Sequence, residues 1–232
     1  MLQSGQTLAA ISILHAAILS DENHFDAHHA LGSAFAQNGQ FPEASAVLSR
    51  AVALRPNSAA ANHDLAAAYD FQGLHEQAIE AYKKVVELKP KLGEVHHRLG
   101  ELYVTYSRTE EAAACFDRAA EINRNTAAAR LFRSDAQLLR GDIAGAEEWA
   151  RKAVALEAAN SAAQGTLAGL LYAQGRFEEA ATHFETALRL NPKMAKCWDG
   201  LAHCGNIPNR TTRFSIACAP SCGVPICTMP SE

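Results

Sequence analysis

Apolar residues in this chain fall on helical spacing, in pairs of short segments. Between residues 59 and 92, Leu65, Ala66 and Tyr69 stand at i, i+1 and i+4, one face of a helix. Gly73 follows, and glycine accepts the left-handed conformation that closes a helix. Ala78, Ile79, Tyr82, Val85 and Val86 then trace i, i+1, i+4, i+7 and i+8 on a second helix. Pro90 ends it, because proline cannot continue the hydrogen-bond ladder. The small residues Ala66 and Ala78 let the two helices approach closely. The pattern predicts an antiparallel helix pair with two apolar faces, which must stack on a neighbour to bury both.

The pair recurs. Ala10, Ala44, Ala78, Ala112, Ala146 and Ala180 are spaced 34 residues apart without a miss. Gly5, Gly39, Gly73, Gly141 and Gly175 keep the same period, with Ser107 in the one gap. Leu31, Leu65, Leu99, Leu167 and Leu201 follow it, with Arg133 as the exception. The period predicts a half unit over 1–24 and whole units over 25–58, 59–92, 93–126, 127–160 and 161–194. A partial unit over 195–204 and an irregular tail over 205–232 follow. The fourth whole unit departs most. Arg133 replaces the buried leucine, Ala150 replaces the aromatic seen as Tyr82, Phe116 and Phe184, and Arg124 and Ala158 replace closing prolines. We expect a drifted, less stable unit in which Trp149 refills the lost volume; the alternative is a hinge or partner contact.

The set Leu65-Ala66, Tyr69, Gly73, Ala78, Tyr82 and Pro90 resembles a tetratricopeptide repeat, and the resemblance covers about nine-tenths of the chain. It implies an all-α solenoid of eleven or twelve helices, wound into a right-handed superhelix whose first helices line a concave groove. On those faces His29, His63 and His97 recur every 34 residues, followed by Leu131, Phe132, Leu138, Leu139 and Tyr172. The groove is therefore expected to change from polar and titratable to apolar. Its candidate partner-binding residues are His29, His63, His97, Arg98, Leu131, Phe132, Asp135 and Tyr172. Packed helices lie roughly 8–10 Å apart, so three stacked imidazoles cannot close on one ion. Some relatives clamp a chaperone's terminal carboxylate with lysines and asparagines; here His29, Ser33, Asp64, Glu94 and Arg98 stand there, and two are acidic. The asparagine ladder of certain glycosyltransferases is replaced by Ala30, Asp64, Arg98, Phe132 and Thr166.

Composition narrows the function. Of 232 residues, 48% are hydrophobic and 20% charged, with a formal net charge of -4, which argues against non-specific nucleic-acid binding. No apolar run reaches the roughly 18 residues of a membrane span, and no basic residue precedes the apolar start, so a cytoplasmic protein is expected. The glycines are isolated, so no phosphate-cradling loop is present, and no nucleophile–base arrangement stands out. Glu110-Glu111, Glu147-Glu148 and Glu178-Glu179 are expected to open second helices, where they favour the positive terminus. We expect no cofactor, no small-molecule substrate and no catalysis.

The tail has no helical period and carries Cys218, Cys222 and Cys227, with His203 and Cys204 upstream. It lacks the paired ligands a zinc site needs. We expect it to be a frame-shifted translation or disordered. Codons for Phe214, Cys218, Cys222 and Cys227 begin with T, and a displaced frame would make T the second base, which encodes apolar residues at helical spacing. Met1 falls in the middle of a unit. The expected function is a scaffold or adaptor binding a protein or peptide through the groove. The alternative, from a loose resemblance to repeat-fused bacterial sulfotransferases, is the truncated front of a larger repeat-fused enzyme such as a sulfotransferase or glycosyltransferase, itself non-catalytic.

Overall fold

The computed structural model describes residues 2–205, with side chains from residue 11 onward. Among these residues are twelve α-helices: α1 (Leu2–Ser20), α2 (Phe25–Gln37), α3 (Phe41–Leu54), α4 (Ala59–Phe71), α5 (His75–Leu88), α6 (Gly93–Thr105), α7 (Thr109–Ile122), α8 (Ala127–Leu139), α9 (Ile143–Leu156), α10 (Ser161–Ala173), α11 (Phe177–Leu190) and α12 (Ala195–Gly205). The chain is an all-α solenoid. First helices begin at Phe25, Ala59, Gly93, Ala127, Ser161 and Ala195, 34 residues apart. The readings placed on Met1 and on 206–232, including Cys218, Cys222 and Cys227, lie outside the described residues.

The turns inside the units explain the glycine column. Gly39, Gly73, Gly141 and Gly175 have φ of 74° to 80°, and Ser107 takes the same left-handed conformation at 55°. In the turn after α4, Gly73 N–H donates to the Asp70 carbonyl and Leu74 N–H to the Tyr69 carbonyl, both at 2.9 Å, which satisfies orphan carbonyls at the helix end. One glycine breaks the pattern. α1 runs through Gly5, where no preceding helix among the described residues calls for a left-handed closure.

The core follows the alanine column. Ala44, Ala78, Ala112, Ala146 and Ala180 are each fully buried where paired helices touch, and Leu31, Leu48, Val85, Leu167 and Leu171 fill the space between layers. A further column was not read from the sequence. His28, Asn62, His96, Gln164 and Trp198 each donate a side-chain N–H to the carbonyl six residues back, of Glu22, Pro56, Pro90, Ala158 and Pro192, at 2.9–3.0 Å. Each pins a first helix to the loop entering it. Arg130 holds this position in the fourth unit and reaches only the Thr126 carbonyl, at 3.4 Å. There α7 and α8 lie together more extensively than any other helix pair across a unit boundary.

That unit also corrects two expectations. Arg133 is not simply a misplaced core residue: its guanidinium lies 4.7 Å over the Trp149 ring, while Lys152 sits 4.2 Å from the same ring. Trp149 thus holds cations as well as filling volume. Glu147 and Glu148 do not open α9, whose first turn has no acidic residue. Asp142 caps that helix instead, accepting from Gly145 N–H at 2.9 Å. Glu147 is buried and accepts from Arg176 at 2.6 Å and Gln174 at 2.7 Å, tying α9 to the turn after α10.

Candidate functional site

The solenoid has an inner and an outer side. Successive first helices touch at α2 with α4, α8 with α10 and α10 with α12, while no two successive second helices make comparable contact. A stack whose layers meet on one side and part on the other curves toward the side that meets. The first helices therefore line the inner face.

His29 and His63 share one partner. Nε2 of His29 lies 3.0 Å from one Asp64 oxygen and Nδ1 of His63 3.5 Å from the other; Ser33 donates its hydroxyl to Asp64 at 2.7 Å. Burial pushes the Asp64 carboxyl up, but hydrogen bonds from His63, Ser33 and His29 hold it below the usual range. The hydrogen bond to Asp64 raises the His63 imidazole against the opposing effect of burial. His97 is different. It stacks on Phe132 with centroids 4.4 Å apart and also meets Phe116 at 5.6 Å. Burial lowers its pKa, so it favours the neutral ring. The three histidines share one column but not one environment, and the titrations of His63 and His97 move apart.

Arg98 bridges two units, donating from Nε to Asp70 at 2.5 Å and from Nη1 to Glu101 at 2.8 Å. Asp135 follows on the next layer. Burial, aided by the Glu101 charge, pushes its carboxyl up to about 6. Phe132 packs on Ala113, Phe116 and Ala136, and Leu131 on Ala127, Ala153 and Ala163, so both are half-buried. Tyr172 meets Phe177 edge-on at 5.3 Å and packs on the last core cluster. The apolar strip is therefore shallower than its sequence suggests. What protrudes is Val104, 42% exposed, and Leu138, 47% exposed, one 34-residue repeat apart on α6 and α8. Val104 and the Asp70–Arg98–Glu101 bridge were missed from sequence, although Asp70, Val104, Leu138 and Tyr172 form one 34-residue column. Among the described residues, no group of three or more His, Cys, Asp or Glu could hold a metal ion, and no helix is long and apolar enough to cross a membrane.

Family models described as the tetratricopeptide repeat match residues 23–91, and residues 72–135 and 137–204. The chain belongs to the tetratricopeptide repeat family. This repeat protein is similar in fold to several solved relatives. One is YrrB, described as a tetratricopeptide repeat protein with an unusual peptide-binding site, with 16% identity and a TM-score of 0.63 over 80% of this chain and 96% of that one. A thermophilic repeat protein of Thermus thermophilus shows 25% identity and a TM-score of 0.62, covering 79% and 100%. A repeat protein of Parabacteroides merdae shows 18% identity and a TM-score of 0.66, covering 88% and 94%. Comparison with curated protein sequences gave no match.

Proposed function

We propose that this tetratricopeptide repeat protein is a non-catalytic scaffold that binds a segment of another protein along its inner face. The observation that supports this most is the pairing of exposed Val104 and Leu138 with the half-buried His97–Phe132 stack on neighbouring first helices. Exposed apolar side chains aligned on successive layers form a strip that a partner can cover. Burying a Leu or Val side chain contributes roughly 1.5–3 kcal/mol, whereas solvated polar contacts largely exchange one hydrogen bond for another. The polar half, with His29, His63 and Asp64 already bonded to one another, offers fewer free groups and sets specificity more than affinity. The peptide-binding description of YrrB agrees with this reading.

A photo-crosslinking residue at position 104 or 138 tests it in cells of the source organism, with position 80 on the outer side of α5 as control. Adducts to a discrete protein from 104 and 138, absent from 80, are expected, and the adduct from 104 should be lost with Leu138→Asp. Adducts from position 80 alone would place binding on the outer helices and overturn the proposal.

A further inference from the structure

Seven of the twelve arginines among the described residues are neutralised by carboxylates. Arg55 pairs with Asp26, Arg98 with Asp70 and Glu101, Arg108 with Glu111, Arg118 with Glu121, Arg140 with Asp117, and Arg151 and Arg176 with Glu147. Three of the remaining five stand together. Arg124, Arg130 and Arg133 line a single cleft of about 250 Å³, with Ala120 and Ala129 on its walls and the Trp149 ring at its side. None of the three forms an ion pair among the described residues. Arg124 donates Nε to the Glu121 carbonyl, Arg130 reaches a carbonyl at 3.4 Å, and Arg133 rests on Trp149. Each guanidinium keeps most of its five donors free.

The cleft exists because the fourth unit departs from the repeat. Arg124 replaces a closing proline, Arg130 the pinning residue, Arg133 the buried leucine, and Ala150 the large aromatic. Three of these departures, Arg124, Arg130 and Arg133, line one opening at the junction of α7, α8 and α9, with Trp149, the neighbour of Ala150, at its side. Drift alone has no reason to place three unpaired cations around one opening in a chain of net charge -4. The nearby carboxylates are engaged elsewhere: Asp117 with Arg140 and Glu121 with Arg118. Lys152, on the same indole, is paired with Glu148.

We propose that the Arg124–Arg130–Arg133–Trp149 cleft is an oxyanion site that takes a phosphate monoester. A phosphate monoester carries about -1.5 to -2 at neutral pH and three acceptor oxygens, which suits several guanidinium forks. One carboxylate would leave most of the positive charge uncompensated. A long polyanion is disfavoured, because the chain as a whole carries a net charge of -4. The ester is either a free small molecule or a phosphorylated side chain, and both present the same head group.

The test titrates the full chain with phenyl phosphate, inorganic phosphate, benzoate and a phosphoserine peptide, by calorimetry at constant ionic strength. Trp149 fluorescence in a Trp198→Phe background locates the site, since the chain has two tryptophans. Saturable binding of phenyl phosphate with Kd below about 1 mM and a change in Trp149 emission are expected. Benzoate should bind roughly tenfold more weakly, and Arg130→Gln/Arg133→Gln should weaken phenyl phosphate by about tenfold or more. Arg124→Glu, at an exposed position, serves if that double variant does not fold, and should weaken binding by roughly tenfold as well. The peptide binding more tightly than either small phosphate assigns a phosphorylated chain; equal affinities assign a free ester. Absence of saturable binding, unchanged affinity in Arg124→Glu, or benzoate binding as well as phenyl phosphate would each overturn the proposal.

Discussion

Nε1 of Trp198 donates to the Pro192 carbonyl at 2.9 Å, the same six-residue backward reach that joins Nε2 of His96 to Pro90 at 3.0 Å. An indole, two imidazoles and two amides serve one purpose in five units. What the position requires is an N–H at the end of a side chain, not a particular ring. Asn62 shows this most plainly, since its amide donates to Pro56 and also to Ser58 at 2.8 Å. Asn62→Leu keeps the branched four-atom side chain but removes the donor. It should lower stability by roughly 1 kcal/mol, the loss of a part-buried hydrogen bond to the Pro56 carbonyl, since the Ser58 carbonyl still accepts the Asn62 backbone N–H at 3.1 Å. Chemical denaturation checks this; an unchanged midpoint would show that solvent replaces the pin.

Ser107 has the left-handed φ of 55° that its aligned glycines adopt without steric cost. Ser107→Gly should stabilise the chain by about 0.5–1 kcal/mol, net of the entropy glycine adds to the unfolded state. Thermal melting decides it, and a fall in Tm would mean the serine side chain contributes more than its backbone strain costs.

Asp135 is expected to make stability depend on pH. Its carboxyl ionises at about 6 in the fold but near 3.8 when unfolded, so the folded state binds more protons between those values. Its contribution is therefore lost as pH rises through that window. Asp135→Asn should raise stability at pH 7.5 by on the order of 1–3 kcal/mol and change little at pH 4. Equal effects at both pH values would show that ionisation is not the cause.

Ala78 is fully buried between α4 and α5. Ala78→Leu should cost on the order of 1–3 kcal/mol by overpacking, seen as a lower Tm with the helical circular-dichroism signal retained at low temperature. Tolerance would mean the paired helices can separate without penalty.

Much of this molecule is legible in its sequence, for a physical reason. Units touch only their neighbours, so each 34-residue segment repeats one packing problem and the answers align in columns. Helix boundaries, the left-handed turns and the alanine contacts all follow. The inner face is less legible. His29, His63 and His97 share a column, yet Asp64 pairs with the first two while Phe132 takes the third, and no column records which neighbour a side chain chooses. Arg133 misled in the same way: the period marks it as an error, and only packing reveals Trp149 beneath it. Glu147 looked like a helix opener because its spacing was counted without Asp142, which starts the helix five residues earlier.

Three pairs of successive first helices, α2 with α4, α8 with α10 and α10 with α12, meet along the inner side, and no two successive second helices make comparable contact. Such a stack is expected to behave as a spring. A small rotation at each joint closes or opens the outer gaps without breaking an inner contact, and the rotations add along the array. The calibre of the groove is therefore an elastic quantity, set by all the joints together. A partner seated against Val104 and Leu138 would be sensed at both ends as a change in the molecule's length, which small-angle scattering can measure.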